Sequence, residues 1–161
     1  MLNLSQISPK EAFVIRKMVL PDTIKDLIDL EDWKKLDDFF LGACASNGFI
    51  FQFMQEFVPE LKSLEFIISI RDAKNDYEED GIWHDDGSRV FAFSLGLNLN
   101  PESIEGGNLL IRAKGSMHET SIKPPHFGNC ILFKTGIHGY EHKVKAVTKG
   151  RRIVIAGWCT V

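Results

Sequence analysis

Cysteine is scarce and scattered: the three residues Cys44, Cys130 and Cys159 include no close pair. Thiolate metal sites are built on spacings such as C-x-x-C, so a cysteine-held metal is excluded, and an odd number of isolated thiols supplies no disulfide framework. These residues read as reduced, buried thiols of a cytoplasmic protein. Long apolar runs are missing as well, with none approaching the ~18 residues that mark a membrane-spanning helix. The opening MLNLSQISPKEAFVIRKMVL has no basic start, no continuous apolar stretch and no small-residue cleavage site, so neither a signal peptide nor a membrane partner is expected. An excess of positive charge is also lacking. The 19 Lys and Arg against 22 Asp and Glu leave a net charge of −3, so nucleic acid is not an expected partner. Repeats, low-complexity tracts and linkers are absent, and residues 1–161 read as one domain long enough to bury its own core.

What is present is ordinary globular composition, 44% hydrophobic and 25% charged, arranged in two different patterns. In the first part, AFVIRKMVL (12–20) alternates as a strand does. DTIKDLIDLEDWKKL (22–36) repeats Ile24, Leu27, Ile28 and Leu30 at helical spacing and predicts a helix. GFIFQFMQEFVPELK (48–62) predicts another, ending near Pro59, although its aromatics also suit a strand. From residue 63 short β-prone runs take over, at 64–71, 90–98, 108–113, 119–123, 129–134, 140–147 and 151–158, separated by turn clusters such as NPESIEGG and PPHFGN. Many short strands with regular turn signals predict an antiparallel sandwich or barrel. The expected architecture is mainly β, a jelly-roll core over 63–161 backed by a helical support region over 1–62.

Within the β region, GIWHDDGSR (81–89) sets a polar cluster between two apolar runs. If 82–87 is extended, His84 and Asp86 project to one side and Asp85 to the other. A histidine and a carboxylate so placed are two-thirds of a facial triad suited to non-haem Fe(II). A turn alone accounts for Asp85, Asp86 and Gly87 equally well. A third ligand has to come from elsewhere. His118 and His126 fall in loop and turn sequence and read as surface residues, which leaves His138 and His142 around HGYEH. The 58 residues from His84 to His142 leave room for about five further strands and short loops, so the chain can return to the same mouth of a barrel.

The segment HKVKAVTKGRRIVIAGW (142–158) resembles the second-histidine region of the Fe(II)- and 2-oxoglutarate-dependent dioxygenases of the prolyl-4-hydroxylase type. That region reads H-x-V-x-x-V-x-x-G-x-R, then an apolar strand and Trp. His142, Val144, Val147, Gly150, Arg152 and Trp158 stand in that order. Upstream, EGGNLLI resembles the family's GG-x-L strand and PPHFGNCILF its P-x-x-G-x-x-x-L-F strand. The resemblance covers about 82–158, roughly half the chain.

The resemblance implies a double-stranded β-helix of cupin-like jelly-roll form. His84, Asp86 and His142 would be ligands of Fe(II), and Arg152 would grip the distal carboxylate of 2-oxoglutarate, with dioxygen as the other co-substrate. The implied reaction is hydroxylation of an unidentified substrate, a protein side chain or a small molecule, with release of succinate and carbon dioxide. A guanidinium fork matches a carboxylate. A hairpin turning about Lys149 would put Arg152 opposite Ala146, on the face of His142 and ~13 Å along the strand from it. A one-residue slip would present Arg151 instead. Two other functions remain: a cupin-like metalloprotein without 2-oxoglutarate, which needs no arginine there, and a non-catalytic ligand-binding module, which needs no full triad. The loop RDAKNDYEEDG (71–81) is either a lid over the substrate or a solvated acidic loop. Its Tyr77 lies off the position of the tyrosine that many relatives place near the co-substrate. Trp83 and Trp158 are expected in the core or the site wall.

Overall fold

The computed structural model describes residues 11–73 and 81–161. Along them run β1 (Phe13–Lys17), α1 (Thr23–Asp29), α2 (Trp33–Cys44), α3 (Phe49–Gln55), β2 (Ser63–Asp72), β3 (Phe91–Gly96), β4 (Glu105–Gly106), β5 (Leu109–Ala113), β6 (Thr120–Ile122), β7 (Asn129–Lys134), β8 (Tyr140–Val144), β9 (Val147–Lys149) and β10 (Arg151–Thr160). A five-stranded antiparallel sheet has the order β1-β7-β3-β10-β2, a three-stranded sheet the order β6-β5-β8, and β4 pairs with β9. The fold is mainly β, with three antiparallel sheets and helices packed outside, the layout of a double-stranded β-helix. One strand of the large sheet, β1, precedes the helices, so the first 62 residues contribute an edge to the β core as well as support.

Alternation along the central strands builds two cores. Phe91, Phe93 and Leu95 of β3, with Ile153, Ile155 and Cys159 of β10, turn outward to meet Ile24, Leu36, Phe40, Ile50 and Met54 of the helices. Each of the fully buried aliphatic and aromatic side chains is worth about 1.5–3 kcal/mol over exposure. Ala92, Ile131 and Phe133 turn the other way and pack against Leu109 and Ile111 of the small sheet. Gly157 interrupts β10 because its Cα partner Phe93 lays its ring there; a Cβ at Gly157 would sit 2.1 Å from that ring.

Three local expectations differ from what forms. The helix expected over 22–36 is two helices. Asp32 accepts a hydrogen bond from the Lys35 N–H at 3.2 Å and caps a new helix, while Glu31 takes φ 53° between them. Helix α2 then runs on to Cys44, and α3 stops at Gln55, about a turn before Pro59. The hairpin about Lys149 does not form either. Strand β10 is paired along one edge with β3 and along the other with β2, which leaves no edge for β9, and β9 takes β4. Arg152 therefore lies opposite Arg71, not Ala146.

Candidate metal centre

His84 and His142 are joined first by their main chains. Each N–H donates to the other's carbonyl, at 3.0 and 2.9 Å, in an isolated antiparallel bridge beside β8. A hydrogen-bonded pair of this kind brings both side chains to one face, and the ring centroids are 4.3 Å apart. His84 Nδ1 sits 3.0 Å from the Ile82 carbonyl, which can only accept, so Nδ1 donates there and Nε2 is the nitrogen turned toward Asp86. The His142 ring stands edge-on to Phe133 at 4.8 Å.

Asp86 reaches the pair by a turn, which corrects the expectation of an extended 82–87 segment: its φ is 61° and Gly87 follows at 62°. Asp85 builds that turn. Its carboxylate accepts from the Gly87 N–H at 3.0 Å and from Lys114 Nζ at 2.6 Å, and its carbonyl accepts from the Gly136 N–H at 3.0 Å. The Lys114 hydrogen bond, then the Gly87 N–H, hold the Asp85 carboxyl below its usual range.

Asp86 Oδ1 lies 3.5 Å from His84 Nε2 and Oδ2 lies 3.2 Å from His142 Nε2. Among the described residues, these three side chains form the one group of His, Cys, Asp or Glu that could hold a metal, with ligand atoms all within 4.8 Å of one another. The Asp86 side chain is 7% exposed, and its Oδ2 is buried without a hydrogen-bond partner. Burial pushes its carboxyl up, but the close approach of His142 and the presence of His84 outweigh that, and the net shift is downward. Asp86 is thus held as a carboxylate. Bonds of ~2.0–2.2 Å from N and O donors to a divalent cation put neighbouring octahedral donors about 3 Å apart. Two imidazoles and a carboxylate with one partnerless buried oxygen, at these separations, fit such an ion.

A cavity of 340 Å³ opens from the histidines between the sheets, within the range of small-molecule sites. The even residues of β10, Arg152, Val154, Ala156 and Trp158, line it along one side. Arg152 is 2% exposed. Gly107 makes room for it at φ 70°, since a Cβ there would lie 2.9 Å from Arg152 Cδ; Gly106 lets β4 approach the Ala146 carbonyl in the same way. Arg151 points to the opposite face, ion-paired with Asp72 at 2.7 Å and with Glu31.

The remaining residues singled out in the sequence lie apart. His126 Nε2 lies 3.2 Å from the Glu102 carboxylate on the surface, His118 is exposed, and the His138 ring packs on Phe91 at 4.9 Å. Trp158 lines the cavity, whereas Trp83 lies between Arg112, 3.8 Å from its ring, and Lys143, at 4.7 Å. Most of the 71–81 loop, including Tyr77, lies outside the described residues. Two wall residues went unnoticed in the sequence: Arg71, and Ser94, whose buried hydroxyl has no hydrogen-bond partner. The signal was available for Arg71, because Ile67, Ser69 and Arg71 share a strand face.

Residues 73–160 match the family model described as the 2OG-Fe(II) oxygenase superfamily. The fold is similar to a prolyl-4-hydroxylase from Pseudomonas putida, at TM-score 0.63 and 16% identity over 98% of this chain and 92% of that one. It is also similar to a prolyl hydroxylase from Trichoplax adhaerens, solved with a peptide fragment of the hypoxia inducible factor oxygen degradation domain, at TM-score 0.60 and 15% identity over 99% and 87% of the two chains. A search of the curated proteins finds no match. At these identities the structural likeness is one of fold.

Proposed function

The chain belongs to the 2OG-Fe(II) oxygenase superfamily, and from that membership we propose that His84, Asp86 and His142 hold its Fe(II), that Arg152 binds the distal carboxylate of 2-oxoglutarate, and that its substrate is a side chain of a protein or peptide. It is an Fe(II)- and 2-oxoglutarate-dependent dioxygenase. When bound, iron and 2-oxoglutarate supply the oxidation that converts dioxygen and a substrate C–H into a hydroxylated product, with succinate and carbon dioxide.

The chain's own residues hold and shield. Three donors on one face leave the other positions open to exogenous ligands. Asp86, kept ionised, contributes the negative charge of the set. Arg152 is permanently charged and offers a fork to a carboxylate, and in its buried setting that hydrogen bond is stronger than in water. Phe133, Leu109, Val154 and Trp158 wall the space with apolar surface that excludes water. Ile67 and Ile82, 51% and 55% exposed, stand in the cavity wall where it meets solvent and offer apolar surface to a polypeptide. The peptide complex of the Trichoplax adhaerens enzyme supports that substrate class. Three buried free thiols support a reducing, cytoplasmic setting.

The observation that carries the assignment is the presence of His84, His142 and a buried Arg152 in one cavity, with Asp86 bridging the histidines. Protein loaded anaerobically with Fe(II) is expected to develop a weak visible charge-transfer band on addition of 2-oxoglutarate, and to release succinate under air in proportion to hydroxylation of proline-containing peptides. Confirmed iron loading with neither band nor succinate would overturn the residue assignment. Succinate release that no peptide stimulates, but a small molecule does, would overturn the substrate class.

A further inference from the structure

Strand β2 is an outermost strand of the large sheet, and its Ile67 and Ser69 line the cavity. The ladder with β10 fixes which main-chain groups its outer edge presents. The Ala73 N–H donates to the Gly150 carbonyl at 3.1 Å, which makes this directly opposite pair a hydrogen-bonded one. Along the register, Ser69, Ile67 and Glu65 then fall in hydrogen-bonded pairs with β10. Leu64, Phe66 and Ile68 alternate with them and turn their N–H and C=O groups away from β10. The Leu97 N–H, which donates to the Ile153 carbonyl at 3.0 Å, agrees: odd residues of β10 serve β3, and even residues serve β2. Among the described residues, no strand or loop meets the outward groups of Leu64, Phe66 and Ile68.

The two outer strands of this sheet are not alike. Strand β1 carries exposed Arg16 and Lys17, charges that discourage a further strand from pairing. The stretch FIISI (66–70) of β2 has neither charge nor proline, and Ile67 is half exposed. An edge of this kind is a template for an extended chain. It also adjoins the metal centre on the side where the centre meets solvent, since the His84 side chain is 45% exposed and that of His142 only 6%. An extended main chain offers a donor and an acceptor every second residue, ~6.8 Å apart, which is the spacing of Leu64, Phe66 and Ile68.

Resting on the reading that the substrate is a polypeptide, we propose that it binds as an added strand on the outer edge of β2, hydrogen-bonded through its main chain to Leu64, Phe66 and Ile68. The substrate residue opposite Ile67 then turns its side chain to the cavity face, toward Ile82 and His84. The main chain supplies affinity and register, and the side chains on the cavity face supply selectivity.

The probe is the member of a library of proline-containing 12-residue peptides that most stimulates succinate release by the Fe(II)-loaded protein. Its amides are methylated one at a time, and binding to protein loaded with Zn(II) and 2-oxoglutarate is measured by calorimetry. Methylation at alternate residues is expected to weaken binding about 3- to 10-fold each, and at the residues between them to change little. Amide hydrogen exchange by NMR locates the peptide on the unaltered chain. The Phe66 and Ile68 amides should exchange faster than those of Ile67 and Ser69 in the free protein, and at least about tenfold more slowly once the peptide is bound. Losses that do not alternate, or unchanged exchange at Phe66 and Ile68 with peptide bound, overturn the proposal. So does slow exchange of both amides in the free protein: a dimer by sedimentation would then make a second copy the occupant, and a monomer would mean that the chain covers its own edge. If no peptide stimulates succinate release but a small molecule does, the polypeptide reading falls, and this inference with it.

Discussion

Replacing Asp86 with asparagine should separate metal binding from folding. The residue sits at φ 61°, a left-handed conformation that asparagine tolerates as well as aspartate. The side chains match in size, and the hydrogen bonds that build the turn belong to Asp85, Lys114 and Gly136, so they persist. The metal-free variant should therefore stay within about 1 kcal/mol of wild type, the worth of one net hydrogen bond. For a chain of this length that is about 2–4 °C in Tm. Metal that binds only the folded state adds about 2.7 kcal/mol at a hundredfold excess over Kd. Wild type should thus gain roughly 5–11 °C on anaerobic addition of Mn(II) or Fe(II), reversed by a chelator. Asp86→Asn loses the only carboxylate of the set and should lose most of that rise. Asp85→Asn should do the reverse, lowering the metal-free Tm through the Lys114 and Gly87 contacts while keeping the metal-induced rise. Thermal unfolding by circular dichroism, with and without metal, reads all three proteins. A full metal-induced rise in Asp86→Asn, or its loss in Asp85→Asn, would refute the division of labour between the two aspartates.

Arg152→Met should weaken 2-oxoglutarate binding at least tenfold by calorimetry with little change in Mn(II) affinity, and Arg151→Met should lower Tm through loss of the Asp72 and Glu31 ion pairs while leaving 2-oxoglutarate binding intact; the opposite pattern would make Arg151 the co-substrate residue. Gly157→Ala should cost about 1–3 kcal/mol by driving a methyl into the Phe93 ring, and Phe93→Leu in the same chain should recover part of the loss, both measured by urea unfolding.

How far this was legible from the sequence depends on whether each feature is local. Strands β2, β3, β5, β6, β7, β8 and β10 were legible because each is a β-prone run closed by turn residues, signals carried within about ten positions, whereas β4 lies inside what reads as the NPESIEGG turn and β9 begins at the end of what reads as one strand over 140–147. The break between α1 and α2 was not, because Ile24 to Leu30 continue a helical spacing that only the Asp32 cap interrupts. The partner of β9 was not legible either. A neighbouring strand is the natural guess, and what prevents it is that β2 and β3, from far upstream, already occupy both edges of β10. His84, Asp86 and His142 were singled out from motif order, yet the extended geometry expected to align His84 with Asp86 is replaced by a left-handed turn. Arg71 escaped because an arginine near a strand end looks solvated until the strand opposite is known.

The reciprocal backbone bond between His84 and His142 has a consequence for how metal exchanges. Closing a flexible span of 58 residues costs chain entropy on the order of 3–4 kcal/mol by the logarithmic loop law. Here two peptide hydrogen bonds and the surrounding sheets close that span through the backbone itself, not through the ligand side chains. Iron that enters has no long loop to tie and iron that leaves has none to release. The ion is thus a removable occupant of a standing frame, and turnover of the metal need not involve turnover of the fold.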